Sequence, residues 1–283
     1  MNRLSRRTFI KNSALTGAGS LLLPQLTEAF KHKKISNTGL QLYTFRDELL
    51  ADAVGTLKQI AALGIKQIES ASSDKGHYYG LSAKEIKNIC SDLGMTIRSG
   101  HVGLDNKWKQ TMDEAAESGQ EYLICSSMPI KGQRVDNYKK TAEQFNKAGE
   151  ECNKLGIKFG YHNHDYEFEM ESGEVLYDVL LKNTEAHLVH MEMDCGWVTV
   201  VGKNPLDYFK KYPGRFPLWH LKDMIVAKKK STEFGKGDLK IAELFHHSKQ
   251  AGLKYFFIEQ EDYTSTPLES VKYNVDYLKK LKV

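Results

Sequence analysis

From residue 38 onward the sequence alternates a short apolar run with a stretch of helical periodicity eight times over, and few folds accommodate that pattern. The runs Gly39–Phe45, Lys66–Ala71, Thr96–Val102, Tyr122–Met128, Lys158–His164, Val189–Trp197, Phe216–Asp223 and Tyr255–Glu261 read as strands. Helical periodicity falls between them, for example over Asp52–Leu63, Ala83–Leu93, Tyr138–Leu155 and Leu239–Ala251, with a last helix over Pro267–Leu281. Several joins share one grammar: Leu63-Gly64-Ile65, Leu93-Gly94-Met95, Leu155-Gly156-Ile157 and Ala251-Gly252-Leu253. In each, the glycine can take the left-handed turn that ends a helix and the apolar residue after it opens a strand. Repeats of about 30 residues predict an α/β chain folded as a (β/α)8 TIM barrel. An open doubly wound sheet is disfavoured because the first strand runs into Thr44-Phe45-Arg46-Asp47 with no glycine-rich phosphate loop. A length of 283 residues suits one such barrel.

The first residues do not share the repeat. Ser5-Arg6-Arg7-Thr8-Phe9-Ile10-Lys11 precedes a modestly apolar stretch, Ala14 to Leu23, then Pro24 and the small-residue exit around Thr27-Glu28-Ala29. A basic start, a short apolar core and a small-residue exit describe an export signal, and the arginine pair resembles the twin-arginine signals of bacteria. The expected organisation is a signal peptide over 1–29, a linker over 30–37 and a single barrel domain over 38–283, with the mature protein in the periplasm. Residues 1–29 carry +3 of the total net charge of +4, which leaves about +1 for the barrel. That is no footprint for nucleic acid or an anionic membrane surface, and no run of about 20 apolar residues predicts a membrane span in the mature protein. Cys90, Cys125, Cys152 and Cys195 show no C-x-x-C spacing, which excludes a zinc ribbon or thioredoxin motif; they read as buried free thiols, with a disulfide in an oxidising compartment, its pairing not given by spacing, as the alternative.

In such a barrel the carboxyl ends of the strands form the functional face. Those ends carry Arg46, Glu69, His101, Ser127, His162 with His164, Asp194, His220 with Lys222 and Asp223, and Glu259 with Glu261. His162, Asp194, His220 and Glu259 come one from each of the last four strands. Neighbouring strands lie about 5 Å apart, so these four can converge on one point. Two imidazoles and two carboxylates suit one divalent metal ion such as Mn, Zn, Co or Fe; without a cation, four such buried groups would be costly. Alternation places His162 and His164 on one strand face, so either is a candidate ligand. Among the other histidines, His32, His77, His187, His246 and His247 read as solvated, and His190 as a hydrogen-bonded interior residue.

These residues carry a resemblance. Tyr161-His162-Asn163-His164-Asp165-Tyr166-Glu167-Phe168, Asp194-Cys195-Gly196-Trp197, His220-Leu221-Lys222-Asp223, Gln41-Leu42-Tyr43-Thr44-Phe45-Arg46-Asp47 and Gly235-Lys236-Gly237-Asp238 resemble the xylose isomerase-like barrel superfamily. The match is nearest to exported members labelled sugar phosphate isomerase/epimerase and covers essentially all of residues 38–283. The resemblance implies a metal held from strands five to eight. Carried over by position, three ligands of the group's sugar epimerases become Asp194, His220 and Glu259, while the first glutamate is replaced by His162. A second histidine common after the aspartate is replaced by Trp197.

The expected chemistry is removal of a proton beside the carbonyl of a sugar or keto sugar, with charge held by the metal. Glu259 or His164 is the candidate base, His101 or Glu69 the candidate acid, and Lys222 a neutralising cation. Arg46, Tyr43, Glu167 and Trp197 are candidate substrate contacts. Reprotonation gives an isomerase or epimerase; loss of a β-leaving group from a 3-keto sugar or glycoside gives a lyase or dehydratase. A non-catalytic carbohydrate-binding barrel using Tyr43, Trp108 and Trp197 as platforms is a further reading. A nuclease acting at abasic sites is disfavoured by the barrel's near-zero charge. The expected partner is a small-molecule carbohydrate, and every one of these features is compatible with a homo-oligomer.

Overall fold

The computed structural model describes Ile35 and residues 37–283, so the export signal expected over 1–29, most of the linker and His32 lie outside the described residues. Eight parallel strands close into a barrel: β1 (Gly39–Gln41), β2 (Gln67–Ser70), β3 (Thr96–Val102), β4 (Tyr122–Cys125), β5 (Lys158–His162), β6 (Val189–Asp194), β7 (Leu218–Leu221) and β8 (Tyr255–Ile258). Each strand pairs with its neighbour in sequence, and β1 closes on β8 with Gly39 opposite Phe257 and Leu40 opposite Ile258. Gly64, Gly94, Gly156 and Gly252 take the positive φ that the Leu-Gly-Ile grammar anticipates. Among the described residues, no helix is long and apolar enough to cross a membrane.

Most strands end earlier than their apolar runs. The first run turns after Gln41 into a single 3-10 turn, Leu42–Phe45, and a short helix, Arg46–Ala51. The sixth stops at Asp194, whose carboxylate accepts a hydrogen bond from the Trp197 amide at 2.9 Å and caps a helix over Cys195–Val200. Cys195 and Trp197 are therefore helical, a correction to the strand expected through Trp197. A short apolar run is compatible with a buried helix as well as a strand, and a carboxylate at its start tips the balance. The helix expected over Leu239–Ala251 divides at His247 into Ile241–His246 and Ser248–Ala251. Two small hairpins stand in the loops, Met170–Glu171 with Glu174–Val175 and Asp223–Ile225 with Lys230–Thr232. The second belongs to a segment tied down by Asp223, whose carboxylate accepts from the amides of Gly235, Gly237 and Leu239. The four cysteines are buried and free, as expected.

Alternation sorts the core into two regions. Outward side chains such as Leu40, Ile68, Phe159, Met191 and Trp219 pack under the helices. Tyr122, Ile124, Leu218 and Phe257 plug the lower barrel interior. His190, at the amino end of β6, packs edge-on against Tyr122 with no hydrogen bond among the described residues, a correction to the bonded interior role expected for it. The interior turns polar above that plug, because inward positions toward the strand ends are Gln41, Glu69, His101, His162, Glu192, Asp194, His220, Lys222 and Glu259, every one of them buried.

Gly196 fixes how closely the helix after β6 approaches β7. A Cβ there would lie 2.3 Å from the Lys222 carbonyl oxygen and 2.9 Å from Met224 Cγ, and backbone cannot yield as a flexible side chain does. Gly196→Ala is expected to destabilise the fold by about 1–3 kcal/mol through overpacking. Denaturant unfolding checks this; a wild-type midpoint would contradict it.

Candidate functional site

Register brings the polar groups to one level. Gln41 sits opposite Glu69, His162 opposite Glu192, and Asp194 opposite His220, and paired residues in a sheet face the same side. A register irregularity between β2 and β3 after Ile68, where Glu69 pairs with Ser99, brings His101 to the same height.

His220 is the hub. Its Nδ1 lies 2.9 Å from Glu259 Oε2 and 3.0 Å from His162 Nε2. Its Nε2 lies 2.6 Å from Glu69 Oε1 and 3.3 Å from Glu192 Oε2. Gln41 donates to the same Glu69 oxygen at 2.7 Å. His101 stacks on His220 with ring centres 5.0 Å apart, its Nε2 2.8 Å from Glu192 Oε2 and 3.2 Å from Glu69 Oε1. Lys222 Nζ stands 3.1 Å from Asp194 Oδ2 and 2.8 Å from Glu259 Oε2, reaches Glu261, and lies 5.0 Å from the Trp197 ring centre.

The electrostatics follow from this packing. Burial opposes charge on every group, and the neighbours decide which charges survive. Burial would raise Glu69, but His101 and His220 hold it far below the carboxylate range. Burial and the Glu69 charge push Glu192 up to about 7. Against burial, Glu69 and Glu192 raise His101 to about 9. His220 is raised well above its ordinary value by Glu192, Glu259 and Glu69 despite burial, and Lys222 likewise by Asp194, Glu259 and Glu261. Glu259 is held well down by Lys222 and His220, which outweigh burial. Burial, reinforced by cationic neighbours, lowers His162 well below 6.5 and His164 to about 4.

One donor atom each from His162, Asp194, His220 and Glu259 lie within 4.8 Å of one another, and so do those of His101, His162, Glu192 and His220. The first set is the quartet expected from the strand ends. The donors suit a divalent cation of borderline hardness. Among the described residues, His162 Nδ1 and Glu192 Oε1 are buried without a hydrogen-bond partner, the condition a cation relieves. His162 belongs to both sets and His164 to neither. The His164 ring, 4.9 Å from that of His162, stacks on Tyr166 and leaves its own buried Nδ1 unpartnered.

If a cation displaces the His220 proton, its affinity rises with pH. A coordinating imidazole must be neutral, and His220 is held protonated by three carboxylates, so the proton competes until the pH passes its raised pKa. The expected slope is about tenfold per pH unit for each proton released. Calorimetry in two buffers of different ionisation enthalpy measures the release; identical heats would mean that none occurs.

Several candidate residues stand elsewhere than expected. Glu167 is fully buried, one oxygen receiving the Tyr161 hydroxyl and the other the His164 amide at 2.9 Å, so both of its oxygens are occupied within the protein. Glu69, expected as an acid, is enclosed and ionised. Trp108 is no rim platform: its indole donates to Glu151 at 2.8 Å and its ring meets Phe159 edge-on. His77, expected to be solvated, is half-buried between Ser72 and Thr111. Tyr43 is exposed at the rim with the Arg46 guanidinium 4.8 Å from its ring centre. The Lys228-Lys229-Lys230 run is exposed. Sequence reasoning missed Glu192, although it lies two residues before Asp194 and so shares its inward face.

Comparison with known proteins agrees with this architecture. A solved sugar phosphate isomerase/epimerase from Parabacteroides distasonis matches with a TM-score of 0.77 and 29% identity, covering 86% of this chain and 97% of that one. The IolI protein, solved with a bound zinc atom, shares the fold with a TM-score of 0.68 at 14% identity, covering 87% and 99%. In sequence, inosose dehydratase of Clostridium perfringens is 33% identical over 104 residues, 37% of this chain and 34% of that enzyme. The chain thus spans about a third of the length of the curated relatives first matched. The family model described as xylose isomerase-like TIM barrel matches residues 57–281. With the closed eight-stranded barrel and the polar cluster at its strand ends, the chain belongs to the xylose isomerase-like TIM barrel family.

Proposed function

We propose that this protein is a metal-dependent isomerase or epimerase that moves a proton beside the carbonyl of a sugar or keto sugar. The observation that carries this reading is the convergence of donor atoms of His162, Asp194, His220 and Glu259 within 4.8 Å, with the buried Nδ1 of His162 unpartnered among the described residues. These four residues would hold a divalent ion, which would supply Lewis-acid stabilisation of the charge that develops on a substrate oxygen when the adjacent C–H loses its proton. The unpartnered His164 Nδ1 takes that proton. His101, whose Nε2 is anchored to Glu192 and Glu69, returns one. Lys222 places a buried positive charge beside the ligand carboxylates and faces the Trp197 ring. Tyr43 and Trp197 offer ring faces to the sugar, and Arg46 suits a carboxylate or phosphate group. Residues 1–29, read as a twin-arginine-type signal, would carry the folded barrel to the periplasm.

Elimination of a β-hydroxyl or glycoside is a second reading, favoured by the local likeness to inosose dehydratase and by a His101 held protonated above neutral pH, an acid for a departing oxygen. Incubating keto sugars with the metal-loaded protein in D2O separates the two. Deuterium beside the carbonyl with every hydroxyl retained supports isomerase or epimerase chemistry, and an unsaturated product supports elimination. Neither deuterium uptake nor product would overturn both.

A further inference from the structure

The loop after β2 carries a residue that the chemistry above does not use. Tyr78 and Tyr79 are adjacent, both only 4% exposed, and sharply different in their partners. The Tyr78 hydroxyl is 3.2 Å from Ser118 Oγ and accepts from Gln120 Nε2 at 2.7 Å. The Tyr79 hydroxyl is buried with no partner among the described residues. Its backbone sits at φ +55°, followed by Gly80 at φ +91°, within a turn closed by the Leu81 amide on the Tyr78 carbonyl at 3.1 Å.

Each feature is costly. A tyrosine in the left-handed region is strained, and a buried hydroxyl without a partner forfeits the hydrogen bonds it had in water. The turn sends the two rings to different surroundings. Tyr78 is anchored beside the helix over Trp108–Ser118, whereas Tyr79, whose phenol is pushed up chiefly by burial, has Tyr43, Arg46 and Glu259 as its ionisable neighbours. Those three belong to the rim and the metal quartet. An unpartnered phenol enclosed on that side of the barrel is a donor awaiting an acceptor.

We propose that Tyr79 is a substrate-binding residue whose hydroxyl donates a hydrogen bond to a hydroxyl or carbonyl oxygen of a polyhydroxylated ring bound over the quartet. This deepens, and rests on, the reading of the site as a sugar-processing one. The left-handed turn aims the ring, and the bound oxygen supplies the partner that the protein withholds.

The test is Tyr79→Phe, which removes one oxygen and keeps the packing. Metal-loaded wild type and variant are titrated calorimetrically with inosose, a cyclic polyhydroxy ketone, their melting temperatures are measured, and deuterium uptake is followed in the same samples. The expected result is a melting temperature equal to or above wild type, because an unsatisfied hydroxyl has gone, with inosose binding weakened about tenfold, the loss of one neutral hydrogen bond. Equal affinities overturn the proposal, as does a wild type that binds no inosose. A clearly lower melting temperature also overturns it, since the hydroxyl would then have a structural partner. A wild type that binds inosose Tyr79-dependently without exchanging its protons instead overturns the catalytic reading and leaves this one standing.

Discussion

Asp194→Ala and His162→Ala are each expected to purify without metal, while the wild type retains about one equivalent of Mn, Zn, Co or Fe after desalting. The two residues contribute differently. Asp194 is the last residue of β6 and a cap for the helix that follows, with Oδ1 on the Trp197 amide and Oδ2 beside Lys222. Its loss removes a ligand, a helix cap worth about 1 kcal/mol and a counter-charge for Lys222. His162 Nε2 lies against His220 and its Nδ1 has no partner, so its loss removes a ligand without stranding a charge. Both variants should lose turnover by about three orders of magnitude, the scale of several kcal/mol of transition-state stabilisation. Asp194→Ala should also be the less stable of the two. Elemental analysis, turnover and unfolding read the three effects separately. A full equivalent of metal in both variants would remove the quartet as the binding site.

The fold was legible because its punctuation is local. A glycine after a leucine at the end of a helical stretch fixes where that helix stops, whatever the rest of the molecule does, and repetition fixes the barrel. The quartet was legible for the same reason: strand ends are known once strands are known, and alternation decides which residues face inward. Contacts that depend on three dimensions were hidden. Glu167 follows the His162-Asn163-His164 motif and reads as a substrate contact, yet the turn folds it inward onto the Tyr161 hydroxyl and the His164 amide. Glu69 reads as an acid, but stacking His101 and His220 against its carboxylate favours the ionised form. Trp197 sits at the end of an apolar run that continues a strand pattern, and only the capping carboxylate of Asp194 converts it to helix. Tyr79 lay in a stretch with no pattern at all, because backbone sign and a missing hydrogen bond leave no periodic trace.

Lys222→Met is expected to separate metal affinity from turnover. The Lys222 ammonium touches Asp194 Oδ2 and Glu259 Oε2, oxygens of two of the four residues that would hold a metal, at 3.1 and 2.8 Å. Its side chain is almost wholly buried, as are both partners. Removing the cation leaves two buried carboxylates without their ion pair, a loss of about 3–5 kcal/mol for a broken buried pair. The metal-free variant should therefore unfold at much lower denaturant than the metal-free wild type. Adding metal should restore stability further in the variant than in the wild type, because a divalent cation then replaces an absent charge rather than competing with a present one. Affinity for metal should rise for the same reason, since like charges no longer share the two oxygens. Turnover should fall nonetheless, because no buried positive charge remains beside the substrate oxygen as its negative charge develops. Unfolding curves with and without metal, metal titration and turnover are the three measurements. A metal-free variant as stable as wild type would show that Lys222 does not balance the ligand carboxylates. Unchanged turnover would confine Lys222 to holding the empty site together.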